Sequence, residues 1–109
     1  MERLDDSHWC ILVAEQDNSV IAFIMGCTQE MGPIYREKQR GVITDIAVTE
    51  TQRHKGIGSQ LCGEVIKWFR EQGVTVFEVS SAITNPTSQA FWRKMGFKDF
   101  LIQMQGDLT

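Results

Sequence analysis

One stretch narrows the fold more than any other. In residues 57–69, Ile57, Leu61, Cys62, Val65, Ile66 and Phe69 follow one another at steps of 4, 1, 3, 1 and 3. That spacing puts all six on one stripe of an amphipathic helix. The stripe lies between two strand-like runs, VITDIAV at 42–48 and VTVFEVSSAI at 74–83. Both are mostly apolar and rich in β-branched residues, as suits the interior of a sheet. Strand, helix and strand in succession make a crossover between parallel strands, with the apolar stripe packed on the sheet.

The flanks extend this unit. WCILVAEQ (9–16) and VIAFIMGCT (20–28) surround the turn signal Asp17-Asn18-Ser19 and predict a β-hairpin. Residues 29–41, QEMGPIYREKQRG, read as a loop, either a solvated connection or the lining of a substrate entrance. Gly73 suits the left-handed position that ends the first helix. Asn85 is a good N-cap and Pro86 a good first residue for a second helix, which runs to about Met95 and stops at Gly96. FKDFLIQM (97–104) predicts a last strand. The order is β-β-β-α-β-α-β, an α/β or mixed α+β fold with helices packed on a mixed sheet, in a single domain over residues 1–109.

Composition removes several functions. No stretch approaches the roughly 20 apolar residues of a membrane span. The start, MERLDDSHWCILV, lacks the cationic lead and long apolar run of a secretory signal. Cys10, Cys27 and Cys62 are widely spaced, with no CxxC or Cys/His cluster, so neither a metal site nor a disulfide framework is expected. Reduced thiols in the cytoplasm are the simple reading. The net charge of −3 argues against nucleic-acid binding and requires any anion site to be local.

Such a local site is written at 53–58, RHKGIG, between the 42–48 strand and the helix. A helix N-terminus offers unpaired N–H groups and partial positive charge, which suit an oxygen-rich anion. Gly56 and Gly58 let backbone come close, Arg53 offers a charged fork and Lys55 a point charge. The loop alone also fits a plain glycine-rich turn. The third glycine of a dinucleotide loop is absent, Leu61 standing there, and the GK[ST] ending of a P-loop is absent too.

VITDIAVTETQRHKGIGSQL resembles the acetyl-CoA signature of the GCN5-related N-acetyltransferases, the GNAT superfamily, whose [R/Q]xxGx[G/A] pattern is met by Arg53-His54-Lys55-Gly56-Ile57-Gly58. NPTSQAFWRKMGF (85–97) is similar to that family's second motif, an Asn followed by (F/L)Y-x-K-x-GF. The two motifs stand in the right order with one strand between them, and the resemblance covers roughly residues 9–104.

The resemblance implies a donor, acetyl-CoA, and an amine acceptor that the sequence does not identify. Backbone groups near Ile46, Ala47 and Val48 would pair with the pantetheine arm like an added strand. The amides from His54 through Ile57 to Ser59 would seat the diphosphate beside Arg53. Asn85 would hydrogen-bond the pantetheine arm, serve as the N-cap, or both. Phe91 would pack on the cofactor or the core, and Lys94 would reach the 3′-phosphate or stay in solvent.

Two departures follow. The usual tyrosine acid of the helix motif aligns with Trp92, whose indole has no useful acidic proton, and the single tyrosine is Tyr35 in the 29–41 loop. One strand acid of some relatives is replaced by Thr44, which leaves Asp45 as first candidate base and Glu78 as second. The resemblance also implies that the family's first strand and two helices, about 40 residues, are missing. The hairpin would then expose apolar surface, and a homodimer would cover it. The implied activity is acetyl transfer to a primary amine; a non-catalytic acyl-CoA-binding module or a plain interaction domain are the rival readings.

Overall fold

The computed structural model describes residues 2–5, 8–34, 39–80 and 86–108. Five strands form one sheet in sequence order: β1 (Glu2–Asp5), β2 (Trp9–Gln16), β3 (Ser19–Glu30), β4 (Gln39–Val48) and β5 (Phe77–Val79). The first three pairings are antiparallel, and β4 with β5 is parallel. Helix α1 (Ile57–Glu71) makes the crossover from β4 to β5, and α2 (Pro86–Lys94) follows. The expected mixed α+β architecture is the one observed.

The hairpin is tight for a local reason. Asp17 and Asn18 both take positive φ, 53° and 64°, and Gln16 pairs with Ser19. Two left-handed residues in a row match the twist of the flanking strands, and Asp and Asn tolerate that region well.

α1 buries Leu61, Cys62, Val65, Trp68 and Phe69 against β2, β3 and β4. Trp68 completes the stripe read from the sequence, while Ile57 and Ile66 lie at its half-buried margins. The sheet is bare where the helix comes closest. A Cβ on Gly41 would stand 2.8 Å from a carbon of the Phe69 ring, and one on Gly26 3.1 Å from Val65. Both helices end in the same way. The N–H of Gly73 donates to Arg70 O and that of Val74 to Phe69 O; the N–H of Gly96 donates to Arg93 O and that of Phe97 to Trp92 O. This is the Schellman arrangement, with Gly73 at φ 79° and an apolar residue after each glycine packing back on its helix. The resulting aromatic contacts are continuous: Trp68 on Phe69, Phe69 on Phe77, Phe77 on Phe97, Phe97 on Trp92 and Trp92 on Phe91.

Four expectations are corrected. FKDFLIQM forms no strand: residues 97–108 carry no regular structure, and Phe100, Leu101, Ile102 and Met104 face solvent. The fifth strand of the sheet is instead β1, whose charged sequence ERLD hides a strand because an edge needs no apolar face. Much of 29–41 is not loop. β3 runs to Glu30 and β4 begins at Gln39, paired through Gln29 with Arg40 and Glu30 with Gln39. Gln29, Glu30, Gln39 and Arg40 are polar, so composition says loop while the backbone ladder says strand. Finally, of the run expected as a strand at 74–83, β5 takes only Phe77–Val79 among the described residues, and 81–83 lie outside them.

Candidate functional site

β4 carries an irregularity at the point where an acid interrupts its apolar run. Met25 pairs with Asp45, but Gly26 pairs with Ile43, so Thr44 is an extra residue on β4. This is a β-bulge, a device that re-aims side chains. It lets Ile43 and Ile46, three apart, both face α1, and turns Asp45 to the opposite face of the sheet. The Thr44 hydroxyl donates to the Met25 carbonyl at 3.3 Å. Asp45 is exposed.

Below the bulge, β4 has β5 as neighbour: Gly41, Val42 and Ile43 pair with Phe77, Glu78 and Val79. Among the described residues nothing pairs with the outer edge of β4 from Thr44 to Val48. Between Ile46 and Val48 the ladder groups on that edge have no strand partner among the described residues, the Val48 carbonyl being taken by Arg53, in the segment that leads straight into the glycine loop. Glu78 lies beside Val42, where Arg40 donates to its carboxylate at 3.3 Å. This ion pair leaves Asp45 the less encumbered of the two candidate bases.

The loop itself is shaped by backbone. Glu50–Gln52 form a single 3₁₀ turn, and Arg53 then donates from Nε to the Val48 carbonyl at 3.2 Å, which ties the loop to the end of β4. His54 has φ 65° and Gly56, the N-cap of α1, has φ 82°. Gly56 offers no side-chain cap, and no acid occupies the first turn. The first intrahelical bond is from Gln60 N–H to Gly56 O, 3.1 Å. The N–H groups of Ile57, Gly58 and Ser59 therefore open from the helix end without intrahelical acceptors. Arg53, His54 and Lys55 are exposed around them, with Lys55 Nζ 3.4 Å from the Gln52 amide oxygen. A negatively charged group at this mouth meets backbone donors, the helix dipole and two cations together.

From the second helix, Phe91 reaches this region directly. Its ring lies against the backbone of Gly58. Trp92 does not: it is 4% exposed, with its ring between Phe91 and Phe97, so it supports the site through Phe91 and has almost no surface for a ligand. Lys94 is exposed in the last turn of α2. Asn85 and Tyr35 lie outside the described residues. Sequence reasoning missed a cavity of about 260 Å³ at the far end of the β3–β4 pair, lined by Val20, Ile21, Ala22, Phe23, Ala47, Val48 and Thr49. It is formed by strand ends, whose apolar character had already been assigned to the core. No cluster of potential metal ligands occurs among the described residues, and none of their helices is long and apolar enough to cross a membrane.

A model of the acetyltransferase (GNAT) family matches residues 1–97. The chain belongs to the GNAT acetyltransferase family. Acetyl transfer is the chemistry of this family. Solved structures share the fold at low identity. A transcriptional regulator from Bacillus halodurans aligns with TM-score 0.82 and 20% identity, over 94% of this chain and 68% of its own. An aminoglycoside acetyltransferase from an uncultured soil metagenomic sample, solved with trehalose, aligns with TM-score 0.81 and 20% identity, over 97% and 70%. An aminoglycoside 6'-N-acetyltransferase from Acinetobacter haemolyticus gives TM-score 0.76 and 20% identity, over 95% and 74%. No curated protein matches the GNAT chain.

Proposed function

We propose that the chain is an acetyl-CoA-dependent N-acetyltransferase that acetylates a primary amine of a small molecule or protein by direct attack. One observation carries this reading: an uncapped helix N-terminus with local cations stands in line with an open strand edge that ends at a bulge bearing an exposed carboxylate. The residues fit acetyl-CoA. The first-turn amides of α1, with Arg53 and Lys55, suit its diphosphate. The open edge at Ile46, Ala47 and Val48 suits an extended amide-bearing arm, with Phe91 from the second motif beside it; Lys94 would reach the 3′-phosphate, and Asn85 would hydrogen-bond the arm. Acetyl-CoA would supply an activated thioester.

The chain's own contribution is then binding and proton management. The amine nitrogen must be neutral to form the new C–N bond, and amines are mostly protonated near neutral pH. Asp45, exposed on the face opposite α1, takes the proton directly or through water; Glu78, tied to Arg40, is the second choice. A backbone N–H at the bulge side of β4 would stabilise the developing oxyanion. As the C–S bond breaks, the acylated nitrogen loses its remaining extra proton to water and the departing thiolate takes one up from water, so the protons balance. Two structural neighbours are named as aminoglycoside acetyltransferases, so polyamines of that kind lead the acceptor screen.

We also infer that the chain works in the cytoplasm, where its three buried cysteines, none of them in a disulfide, stay reduced, and that it pairs with a second copy of itself. On the face opposite α1, the half-buried Ile11, Val13, Phe23 and Met25 lie side by side. The test of function is calorimetric titration with acetyl-CoA, followed by release of free CoA thiol in the presence of amines. Saturable binding with amine-dependent thiol release supports the enzyme. Binding without release points to a non-catalytic acyl-CoA module, and absence of binding by folded protein overturns the reading.

A further inference from the structure

One cavity and one carboxylate share a side of the sheet. The side that packs on α1 is marked by Gly26, whose Cβ would meet Val65 and Phe69, and by Ile46, which stands beside Gly58. Side chains alternate along a strand, so Phe23 and Met25 of β3 face the other way, together with their β4 partners Ala47 and Asp45. The cavity of about 260 Å³ draws its lining from residues 20–23 of β3 and 47–49 at the end of β4, and none from α1. It therefore opens on the side that carries Asp45. The apolar patch of Ile11, Val13 and Met25 lies toward β2, so a second copy seated there borders the cavity without supplying its lining.

The lining determines what the cavity can hold. Thr49 alone among these residues has a polar side chain, and its N–H is already given to the Ile21 carbonyl at 2.8 Å. A charged or hydroxyl-rich group placed there leaves its hydrogen-bonding groups unpaired, which is costly, whereas an apolar group is favoured. The volume falls just below the ~300–1,000 Å³ of sites for drug-sized ligands, so it suits one ring or one branched alkyl group. Asp45 supplies the complementary charge for an ammonium. It stands two residues before Ala47 on the same face, about 7 Å along the strand. A short alkyl linker spans that gap.

We propose that this cavity binds the apolar group of the acceptor, and that the acceptor is a monoamine: a primary amine joined by a short linker to an aromatic ring or a branched alkyl group. The amine lies at Asp45 and the apolar group between Phe23, Ala47 and Val20. This rests on the acetyltransferase reading with Asp45 as base, and names the substrate class for it. The polyamines suggested by the fold neighbours find no charged partner in this lining.

The test is release of free CoA thiol from acetyl-CoA with 2-phenylethylamine, ethylamine and spermidine in parallel, for the parent chain and for Val20→Phe. Val20 is 53% exposed at the rim, so the larger side chain fills the cavity from the surface and leaves the core alone. The expected kcat/KM for 2-phenylethylamine is at least tenfold above that for either other amine, and the gap closes in the variant. A second measurement needs no turnover. Methyl NMR follows Ala47 and Val20, with Ala90 on α2 as reference, as 2-phenylethylamine is added to the full chain in the presence of CoA. Saturable shifts at Ala47 and Val20 but not at Ala90 support the proposal. If every amine reacts alike, if spermidine is preferred, or if the preference survives Val20→Phe, the apolar acceptor is overturned and the acetyltransferase stands. If no amine releases thiol while the shifts are present, the acetyltransferase reading fails and the cavity keeps its apolar amine. Absence of shifts overturns the cavity assignment whatever the turnover.

Discussion

The ring of Phe91 lies 3.5 Å from the position that a Cβ on Gly58 would occupy, with Ile46 at 3.9 Å on the other side. Three elements meet at that point: α2, the first turn of α1 and the open stretch of β4. The distance leaves room for one methyl group and no more. Gly58→Ala is therefore expected to keep its acetyl-CoA affinity within a few-fold. Gly58→Val forces Phe91 outward, and overpacking of this kind costs ~1–3 kcal/mol. Its affinity should fall by roughly tenfold, which corresponds to about 1.4 kcal/mol. Titration of the two variants decides; a Gly58→Val chain that binds as tightly as the parent would show that this junction is not part of the seat.

Gly56 makes a different demand. Nothing lies within 4 Å of a Cβ there, so space is not the constraint, but φ is 82°. A side chain in this region costs ~1–2 kcal/mol, less for Asn, which enters it more readily. Gly56→Asp adds a negative charge at a helix N-terminus where an anion is to sit. It is expected to weaken acetyl-CoA binding at least tenfold, about 1.4 kcal/mol. Gly56→Asn, similar in shape and neutral, should lose much less. Equal losses would assign the effect to backbone geometry alone and remove the electrostatic part of the argument.

Trp92 stands where the family motif has its tyrosine, and a natural question is whether Trp92→Tyr restores an acid. The structure argues that it does not. The indole is enclosed by Phe91 and Phe97, and a tyrosine hydroxyl at this depth would meet aromatic carbon. The expected outcome is a folded chain with a lower melting temperature, because a smaller ring leaves a void and a buried hydroxyl is left to find a partner. Turnover should not rise. A clear rise in the rate of thiol release would mean that residue 92 reaches the leaving group after all.

What the sequence disclosed depended on whether side chains or backbone carried the information. α1 was legible because its apolar stripe has helical spacing, and the hairpin because Asp17-Asn18 separates two apolar runs. The glycine loop was legible from Gly56 and Gly58 at the mouth of that helix. β1 and the Gln29–Arg40 end of the β3–β4 ladder were not, since strands of polar and charged sequence held by backbone pairing read as loop. FKDFLIQM failed in the opposite sense: its side chains ask for a sheet, but Arg93–Asp99 and Phe97–Phe77 lead the chain elsewhere. Trp92 stands within a binding motif, but simple packing is the first reading of a tryptophan there, and the Schellman turn that brings Phe97 back onto it bears that out. The bulge at Thr44 left only one trace, an acid in an otherwise buried-looking run.

The last expectation concerns pH. Cys62 sits on the buried face of α1, and burial pushes its thiol up from 9.0 to about 11; Cys27 is raised for the same reason. In the unfolded chain these thiols ionise near their ordinary value, while in the folded chain they keep their protons. Below about pH 9 both states hold the proton and stability is indifferent to it. As pH rises from there toward about 11, the unfolded state sheds protons that the folded state retains, so stability falls. Urea midpoints measured across this window should drop for the parent chain. Cys62→Ala, less stable at neutral pH because it loses a buried sulfur, should show a flatter decline. Parallel slopes would assign the alkaline loss to other groups and leave Cys62 a silent member of the core.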